Sequence, residues 1–319
     1  MTIPGLDLPA QDQGVGSLRT VVTAAAANLA IAIAKGAAAA VTGSVALLAE
    51  AMHSVADTGT EVLLFVGLRK SEKAEDEQHP FGYGQERYFW AFLASMAIFL
   101  IGGVLSIVEG VGSLLRSEPL TRPWIAATVL VLAAAFEAYS WRTARRQLVA
   151  GARKRGRSLV EHLRRASDPS SPTVYLEDSA ALIGITLAMA GLLGHLLSGW
   201  GGAEGLASIS IGLLLIVVAV LLARRAKALL IDESAPLDVV EPIRAAIERP
   251  DWVSEIRRLD AIFVGPAQLM VVASVVPVPG ALDANGHDLI GRVDSLRQTL
   301  LASPAITEVA VGVCKGDVD

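Results

Sequence analysis

Six stretches of the sequence are long and apolar enough to cross a lipid bilayer, and they decide the class of fold. A membrane-spanning helix needs about 20 mostly apolar residues, and this chain is 53% hydrophobic with only 18% charged residues. Inside lipid every backbone polar group must be satisfied within the protein, so such stretches predict helices. The sequence predicts a membrane all-α six-helix transmembrane bundle. Its spans are expected at about residues 20–41, 44–68, 88–114, 124–139, 173–197 and 206–222.

The distribution of lysine and arginine predicts how these spans are oriented. Basic residues gather between spans two and three, between spans four and five, and after span six, whereas the other connections have few or none. Because basic loops stay on the cytoplasmic side, we expect both termini to be cytoplasmic in a multi-pass protein of the plasma (inner) membrane. The arginine-rich segment 142–165 fits a loop on anionic lipid. With a net charge of −5, nucleic acid is not expected as a partner.

From about residue 232 the sequence changes to the composition of a soluble domain. Two β-branched runs are separated by the turn signal Gly265-Pro266, and a helical pattern and a last short strand follow. The expected order is a helix at 236–247, strands at 254–264 and 268–278, a helix at 287–301 and a strand at 306–313. This αββαβ order predicts a small two-layer α+β domain. The predicted parts are therefore an N-terminal segment (1–19), a transmembrane domain (20–231) and a C-terminal domain (232–319).

The second span carries ionisable side chains on one helical face. Glu50, His53 and Asp57 stand at i, i+3 and i+7, which places them on the same side of a helix. Ionisable residues are costly inside a bilayer and indicate a functional site. Since His53 and Asp57 are one turn apart, an imidazole and a carboxylate can converge on one cation. The alternative is a buried polar network that only fixes helix packing, and Glu50 either ligates or orients His53 from outside.

The fifth span opens with two adjacent acids, Glu177 and Asp178. Neighbouring residues lie about 100° apart on a helix, so we expect one of them, Asp178, to face a shared centre, with Glu177 as helper or substitute. The alternative is that these acids only complement the helix dipole. One histidine and several carboxylates suit a borderline divalent ion, and the single cysteine, Cys314, excludes a CxxC metal site. Lys35 within span one either pairs inside the bundle or contributes to proton movement.

Four stretches resemble the cation diffusion facilitator family of divalent-metal/proton antiporters. They are GSVALLAEAMHSVADTGTEVLL (43–64), HPFGYGQERYFWAF (79–92), VYLEDSAALIGI (174–185) and LLIDESAP (229–236). Six spans followed by an αββαβ cytoplasmic domain, ferredoxin-like or metallochaperone-like, are also similar to the family's layout. By this resemblance, residues 20–231 form the transport domain and residues 232–319 a dimerisation domain.

The resemblance also implies a set of ion ligands. The family's transport site pairs an (Asp/His)-x-x-x-Asp motif of span two with a (His/Asp)-x-x-x-Asp motif of span five. The first motif matches His53 and Asp57, and the second matches Asp178, with Val174 at the position of its partner. Since Val174 cannot ligate, Glu177, Glu50 or water would complete the site. A second family site, in the loop after span two, is matched by Asp76 and His79, whereas its further histidine is Tyr83 here.

From the resemblance we expect a homodimer, joined through the C-terminal domain and the membrane bundle, that exports a divalent cation from the cytoplasm in exchange for protons by alternating access. Zinc is the default ion because a histidine ligand suits it, and Mn, Fe(II), Co and Cd stay open. No cofactor is expected besides the transported ion. The rival hypotheses are a metal-activated membrane enzyme and a scaffolding protein whose polar network only packs.

Overall fold

The computed structural model describes residues 3–4, 6, 18–116, 120–279 and 287–314. The chain divides into two compact units. The first, called here the membrane unit, comprises Gly14–Arg69 and Glu86–Lys227, and the second, called the C-terminal unit, comprises Met1–Gln13, Lys70–Gln85 and Ala228–Asp319. Of the expected N-terminal segment, residues 1–2, 5 and 7–17 lie outside the described residues, and Ile3 and Leu6 are buried.

All six predicted spans fall within long helical stretches of the described chain. Five of these stretches are long and apolar enough to cross a membrane. The remaining one, the second, has 27 residues, but its acidic side chains and histidine lower its hydropathy. The prediction of a membrane helical bundle is thereby confirmed. The helices are α1 (Leu18–Thr42), α2 (Val45–Ser71), α3 (Glu86–Ala97), a π-helical segment (Ile98–Val104) that continues into α4 (Leu105–Arg116), α5 (Pro123–Lys154), α6 (Leu159–Arg164), α7 (Ser170–Ser198) and α8 (Gly202–Leu230).

Helix α5 is much longer than the span predicted at 124–139. It continues through the arginine-rich segment to Lys154, because arginine, glutamine, alanine and leucine are all good helix formers. The short helix α6 is capped by Ser158, which precedes it and whose Oγ accepts a hydrogen bond from the backbone N–H of Glu161 at 3.2 Å. This side-chain cap satisfies one of the N–H groups that a helix start leaves open. Part of the basic loop is therefore helical rather than irregular.

Small residues fill much of the core of the membrane unit. Ala49, Ala126 and Ala188 are fully buried and pack with larger residues such as Leu47 and Ile211. Lipid tails are as apolar as leucine, so helices in a membrane associate mainly through close packing, and small side chains allow that approach. The alanine content of the spans is thus a packing feature of the bundle.

A close helix contact of the membrane unit joins the π-helical segment and α4 to α8 through glycines. A Cβ atom placed on Gly212 would lie 2.7 Å from the carbonyl oxygen of Gly103, and one placed on Gly110 would lie 2.7 Å from that of Gly205. Ser208 Oγ also donates a hydrogen bond to the backbone oxygen of Ser106 at 2.7 Å. The two backbones are therefore in direct contact over two helical turns.

The C-terminal unit has the predicted αββαβ order, with α9 (Leu237–Glu248), β1 (Val253–Gly265), β2 (Gln268–Pro277), α10 (His287–Leu301) and β3 (Ile306–Val313). Strand β2 is central, antiparallel to β1 and parallel to β3. Buried residues alternate along β2, at Leu269, Val271, Ala273 and Val275. One sheet face is thus apolar, as half-buried strands require, and the described residues confirm a small α+β unit.

Substitution of Gly212 by alanine tests the glycine contact, and Gly112 on α4 provides a matched control. A Cβ atom at Gly112 would meet nothing within 4 Å. Alanine favours a helix over glycine by about 1 kcal/mol, so Gly112→Ala should keep or raise the melting temperature in detergent. Gly212→Ala should lower it, because the added methyl group meets backbone and overpacking costs roughly 1–3 kcal/mol. Equal shifts in the two variants would show that the backbones are not in contact.

Candidate metal centre

A tight turn fixes the register between α1 and α2. Gly43 has a φ of 73°, a left-handed conformation that glycine adopts without strain, and its N–H donates to Ala39 O at 2.8 Å. Ser44 Oγ then accepts from the N–H of Leu47 at 3.2 Å, which caps the start of α2. Because the connection is so short, the helices run antiparallel. Lys35, eight residues before Gly43, therefore lies opposite Glu50, seven residues after it.

Two polar residues of α1 use this register to reach α2. Lys35 Nζ lies 3.1 Å from Glu50 Oε2 and donates to Ser54 Oγ at 2.8 Å. The side chains of both Lys35 and Glu50 are completely buried. Farther from the turn, Asn28 Nδ2 donates to Glu61 Oε1 at 2.7 Å. Of the two roles that the sequence left open for Lys35, the structure thus shows pairing inside the bundle.

His53 and Asp57 come together on α2 as the sequence spacing predicted. His53 Nε2 lies 3.4 Å from Asp57 Oδ1, and the exposed fraction of the His53 side chain is 1%. Among the described residues, neither ring nitrogen of His53 nor Asp57 Oδ1 has a hydrogen-bond partner with good geometry. Buried polar atoms are rarely left in this condition. These atoms are donors for a cation in type, since imidazole nitrogen and carboxylate oxygen both bind divalent metals.

The two adjacent acids of α7 have different surroundings. Asp178 Oδ2 accepts a hydrogen bond from Ser140 Oγ of α5 at 2.7 Å. Glu177 is 5% exposed, and its Oε1 has no hydrogen-bond partner among the described residues. Both acids interact electrostatically with Asp57 of α2. Asp178 is therefore oriented by a neighbouring helix, whereas Glu177 keeps one buried oxygen for another group.

Acidic side chains on three helices all interact electrostatically with Asp57. They are Glu61 of its own helix, Glu137 of α5, and Glu177 and Asp178 of α7. The sequence analysis did not assign Glu61 or Glu137 to the site. The signal for Glu61 was its position one turn after Asp57, and the signal for Glu137 was an acid inside an otherwise apolar span. The bundle thus concentrates negative charge around Asp57.

The described residues do not form a finished metal cage. No group of three or more His, Cys, Asp or Glu side chains among them is arranged to hold an ion. A crevice lined by Asn28, Ile31, Ser54, Asp57 and Glu137 is too narrow for a water molecule. His53 and Asp57 lie together on α2, whereas Glu177 and Asp178 of α7 are not arranged with them around one point. Side-chain movement must therefore accompany the binding of a cation.

Glu50, the remaining candidate ligand, has one carboxylate oxygen paired with Lys35 and one without a hydrogen-bond partner among the described residues. Its Oε2 faces Lys35, and its Oε1 lies so close to Gly184 of α7 that a Cβ atom there would collide with it. A side chain at position 184 would displace the Glu50 carboxylate from this place. Glu50 therefore belongs to the contact between α1, α2 and α7, one turn away from His53.

In the loop after α2, a lysine holds the carboxylate that the resemblance assigned to a second metal site. Lys73 Nζ lies 2.7 Å from Asp76 Oδ2 and 2.7 Å from Tyr83 OH, and 4.1 Å above the Tyr83 ring. Tyr83 OH donates to the same Asp76 oxygen at 2.8 Å, while His79 stacks on the Tyr83 ring at 4.0 Å. The Lys73 ammonium thus occupies the Oδ2 side of Asp76, while His79 Nδ1 lies 3.5 Å from Asp76 Oδ1.

Hydrogen bonds set the ionisation of this loop cluster. The hydrogen bond from Lys73 has the largest effect and the one from Tyr83 the next largest, and together they hold the pKa of Asp76 well below its usual value. In the same way, hydrogen bonding to Asp76 and then to Tyr83 raises the pKa of Lys73. Both groups are fully exposed, so salt and water screen their attraction. The cluster holds Lys73, Asp76 and Tyr83 together at the surface of the loop.

Comparison with known proteins identifies relatives of the membrane unit. Residues 21–231 match the family model of the cation efflux transmembrane domain. The chain is 30% identical over 229 residues to metal tolerance protein C4 of Arabidopsis thaliana. The alignment covers 72% of this chain and 50% of the plant protein. It is 29% identical over 234 residues to the proton-coupled zinc antiporter SLC30A9, mitochondrial, of Homo sapiens. That alignment covers 73% of this chain and 41% of the human protein. A cation-efflux pump, FieF of Klebsiella pneumoniae, is 27% identical over 196 residues, covering 61% and 59%. The chain spans about half the length of the curated relatives it matches.

The loop cluster predicts a defined pH range for protection of the backbone. The Asp76 contribution is present above about pH 4 and lost as pH falls through its lowered pKa, and the Lys73 contribution is lost only as pH rises through its raised pKa, above about pH 10. The amides of Gln78 and His79 donate to Asp76 Oδ1 at 3.1 and 2.9 Å. Neither charge is lost between about pH 5 and pH 9, so over this range the hydrogen-exchange protection of these amides should not fall through titration of Asp76 or Lys73.

In Asp76→Ala this protection should fall several-fold, because the acceptor is removed. The exposed neighbour Glu75 supplies the control, and Glu75→Ala should leave the exchange rates unchanged. An equal loss of protection in both variants would contradict the role given to Asp76.

Proposed function

Because the chain belongs to the cation diffusion facilitator, or cation efflux, family, whose members are transporters rather than enzymes, we propose that it exports a divalent cation from the cytoplasm in exchange for protons. The observation that carries the proposal is the buried pair of His53 and Asp57. Both ring nitrogens of His53 and Oδ1 of Asp57 lack a well-aligned hydrogen-bond partner among the described residues, and the acids of a neighbouring helix interact with Asp57. A structural polar network would instead be expected to satisfy its own members.

In this proposal, three side chains bind the ion first. Neutral His53 supplies a nitrogen donor, Asp57 and Asp178 supply carboxylate oxygens, and Glu177 or water completes the coordination. Ser140 orients Asp178 by its hydrogen bond to Oδ2, as outer partners of metal ligands commonly do. Glu50 stays outside the coordination and influences His53 through charge.

The surplus of acids supports exchange of the cation for protons. Asp57, Glu61, Glu137, Glu177 and Asp178 interact in one region, while the positive charge of Lys35 is matched by Glu50. Buried ionised carboxylates are costly unless a cation compensates them, so either the divalent ion or protons must neutralise this region. Because metal ligands must be deprotonated, loading of the ion expels protons, and their return on the far side releases it. Alternating exposure of one site to the two sides then gives antiport.

Zinc is the ion that the donor set supports best. An imidazole together with carboxylates is typical of zinc sites, and one of the relatives carries the name of a proton-coupled zinc antiporter. Affinity order alone does not separate zinc from Mn, Fe(II), Co or Cd. The flux experiment below therefore compares all five ions.

The remaining parts of the proposal concern assembly and location. We propose a homodimer that uses the C-terminal domain (232–319) and the membrane bundle, because a domain of fewer than 90 residues buries little core by itself. We also propose that residues 1–19 and 232–319 are cytoplasmic and that the membrane is the plasma (inner) membrane. The support for this orientation is the placement of lysine and arginine along the chain.

Flux into proteoliposomes under an imposed pH gradient tests the function. The purified chain should move one or two of Zn, Mn, Co, Cd and Fe(II) with saturable kinetics, and the flux should collapse without the gradient. In His53→Ala/Asp57→Ala the flux should be lost, because two of the three primary donors are gone.

The control variant is Glu75→Ala, which removes an exposed carboxylate that belongs to no predicted metal site. It should keep flux at the level of the unchanged chain. Lipid turnover that depends on metal, without flux, would favour a membrane enzyme. A chain with no metal response at all would favour a scaffold.

A further inference from the structure

One charged pair in the membrane unit is not used by the proposed mechanism. Lys35 and Glu50 are both completely buried and lie 3.1 Å apart, with Lys35 also bound to Ser54 at 2.8 Å. Glu50 precedes His53 by one turn, and Ser54 follows it directly. Both members of the pair act electrostatically on His53. The pair therefore lies beside the residues proposed to bind the ion.

By position alone, Glu50 is an obvious ion ligand. It stands on the same face of α2 as His53 and Asp57, and its side chain extends to Gly184 of α7, the helix that carries Asp178. Nothing in the spacing distinguishes it from the other acids. What distinguishes it is that the ammonium group of Lys35 already lies against its Oε2, whereas its Oε1 has no hydrogen-bond partner among the described residues.

The short turn at Gly43 fixes the register of α1 against α2, and this register keeps Lys35 in contact with Glu50. It places Lys35 opposite Glu50 in the antiparallel pair of α1 and α2, and a buried partner cannot be exchanged for water. Separating the two would leave an uncompensated charge in a low-dielectric interior, which is strongly unfavourable. An incoming divalent ion must therefore compete with Lys35 for Glu50 or bind without it.

We propose that Lys35 is a positioning residue that determines ion specificity by withholding the Glu50 carboxylate from the transported ion. This inference rests on the proposed function. With Glu50 withheld, His53 is a larger part of the donor set, which favours zinc. With Glu50 available, the site gains a hard oxygen donor and a negative charge, which favours Mn²⁺ and slows release of any divalent ion.

Three proteins test the proposal in full-length form in detergent and in proteoliposomes. They are the unchanged chain, Lys35→Met, and the double variant Lys35→Met/Glu50→Gln. Methionine keeps much of the length of lysine but lacks its charge, and glutamine keeps the shape of Glu50. The readouts are the dissociation constants of Zn²⁺ and Mn²⁺ by calorimetry, the melting temperature without metal, and flux.

In Lys35→Met we expect the melting temperature without metal to fall, because Glu50 loses its partner. We also expect the ratio of Mn²⁺ to Zn²⁺ affinity to rise by about tenfold, equivalent to about 1.4 kcal/mol, with slower flux. In the double variant the ratio should return to that of the unchanged chain, because the freed carboxylate has been removed. A merely structural role for Lys35 would lower the melting temperature but would not move this ratio.

Two results would overturn the inference. One is an unchanged ratio in a folded Lys35→Met protein. The other, available even where Lys35→Met does not fold, is a tenfold or greater loss of Zn²⁺ affinity in the double variant, which would make Glu50 a ligand of the unchanged chain. Metal binding and flux by the unchanged chain test the proposed function separately. Their absence would overturn both, whereas their presence with either result above overturns only the role of Lys35.

Discussion

Charge placed inside a bilayer has to be matched within the protein, and the polar face of α2 imposes this requirement on the helices around it. Helix α1 supplies Lys35 and Asn28, which donate hydrogen bonds to Glu50 and Glu61, respectively. On α7 the response is different, since Glu177 and Asp178 add negative charge near Asp57. The first kind of contact holds the bundle together. The second leaves a surplus of acidic groups that protons or a bound cation must neutralise, so the proposed transport site and the stability of the bundle depend on the same helix face.

The architecture was largely predictable because its signals are local. Apolar length predicts spans, and period-two and helical patterns predict the strands and helices of the C-terminal unit. The αββαβ order was correct, and the last helix and strand have the predicted bounds. The end of α5 was not predictable in this way. Leaving the membrane does not end a helix, and the residues after Tyr139 favour helix until Gly156, where φ is 61°.

The candidate site was predictable within a helix and less so between helices. The approach of His53 to Asp57 follows from a spacing of four residues on α2. The hydrogen bond from Ser140 to Asp178 and the inclusion of Glu137 depend on how α5 and α7 pack, which no local pattern encodes. Lys35 is intermediate, because the short turn at Gly43 fixes the register of α1 against α2 and could have identified Glu50 as its partner. In the loop, the role of Lys73 depends on a fold of the chain that brings Tyr83 back to it.

Direct backbone contact between the π-helical segment, α4 and α8 also restricts how the bundle can change shape. At most helix interfaces, a layer of side chains can change rotamers and so absorb a shift in crossing angle. At Gly103 with Gly212, and at Gly110 with Gly205, there is no such layer. These helices are therefore expected to travel as one rigid pair. Rearrangement during a transport cycle would then fall on interfaces lined by longer side chains, where repacking is possible.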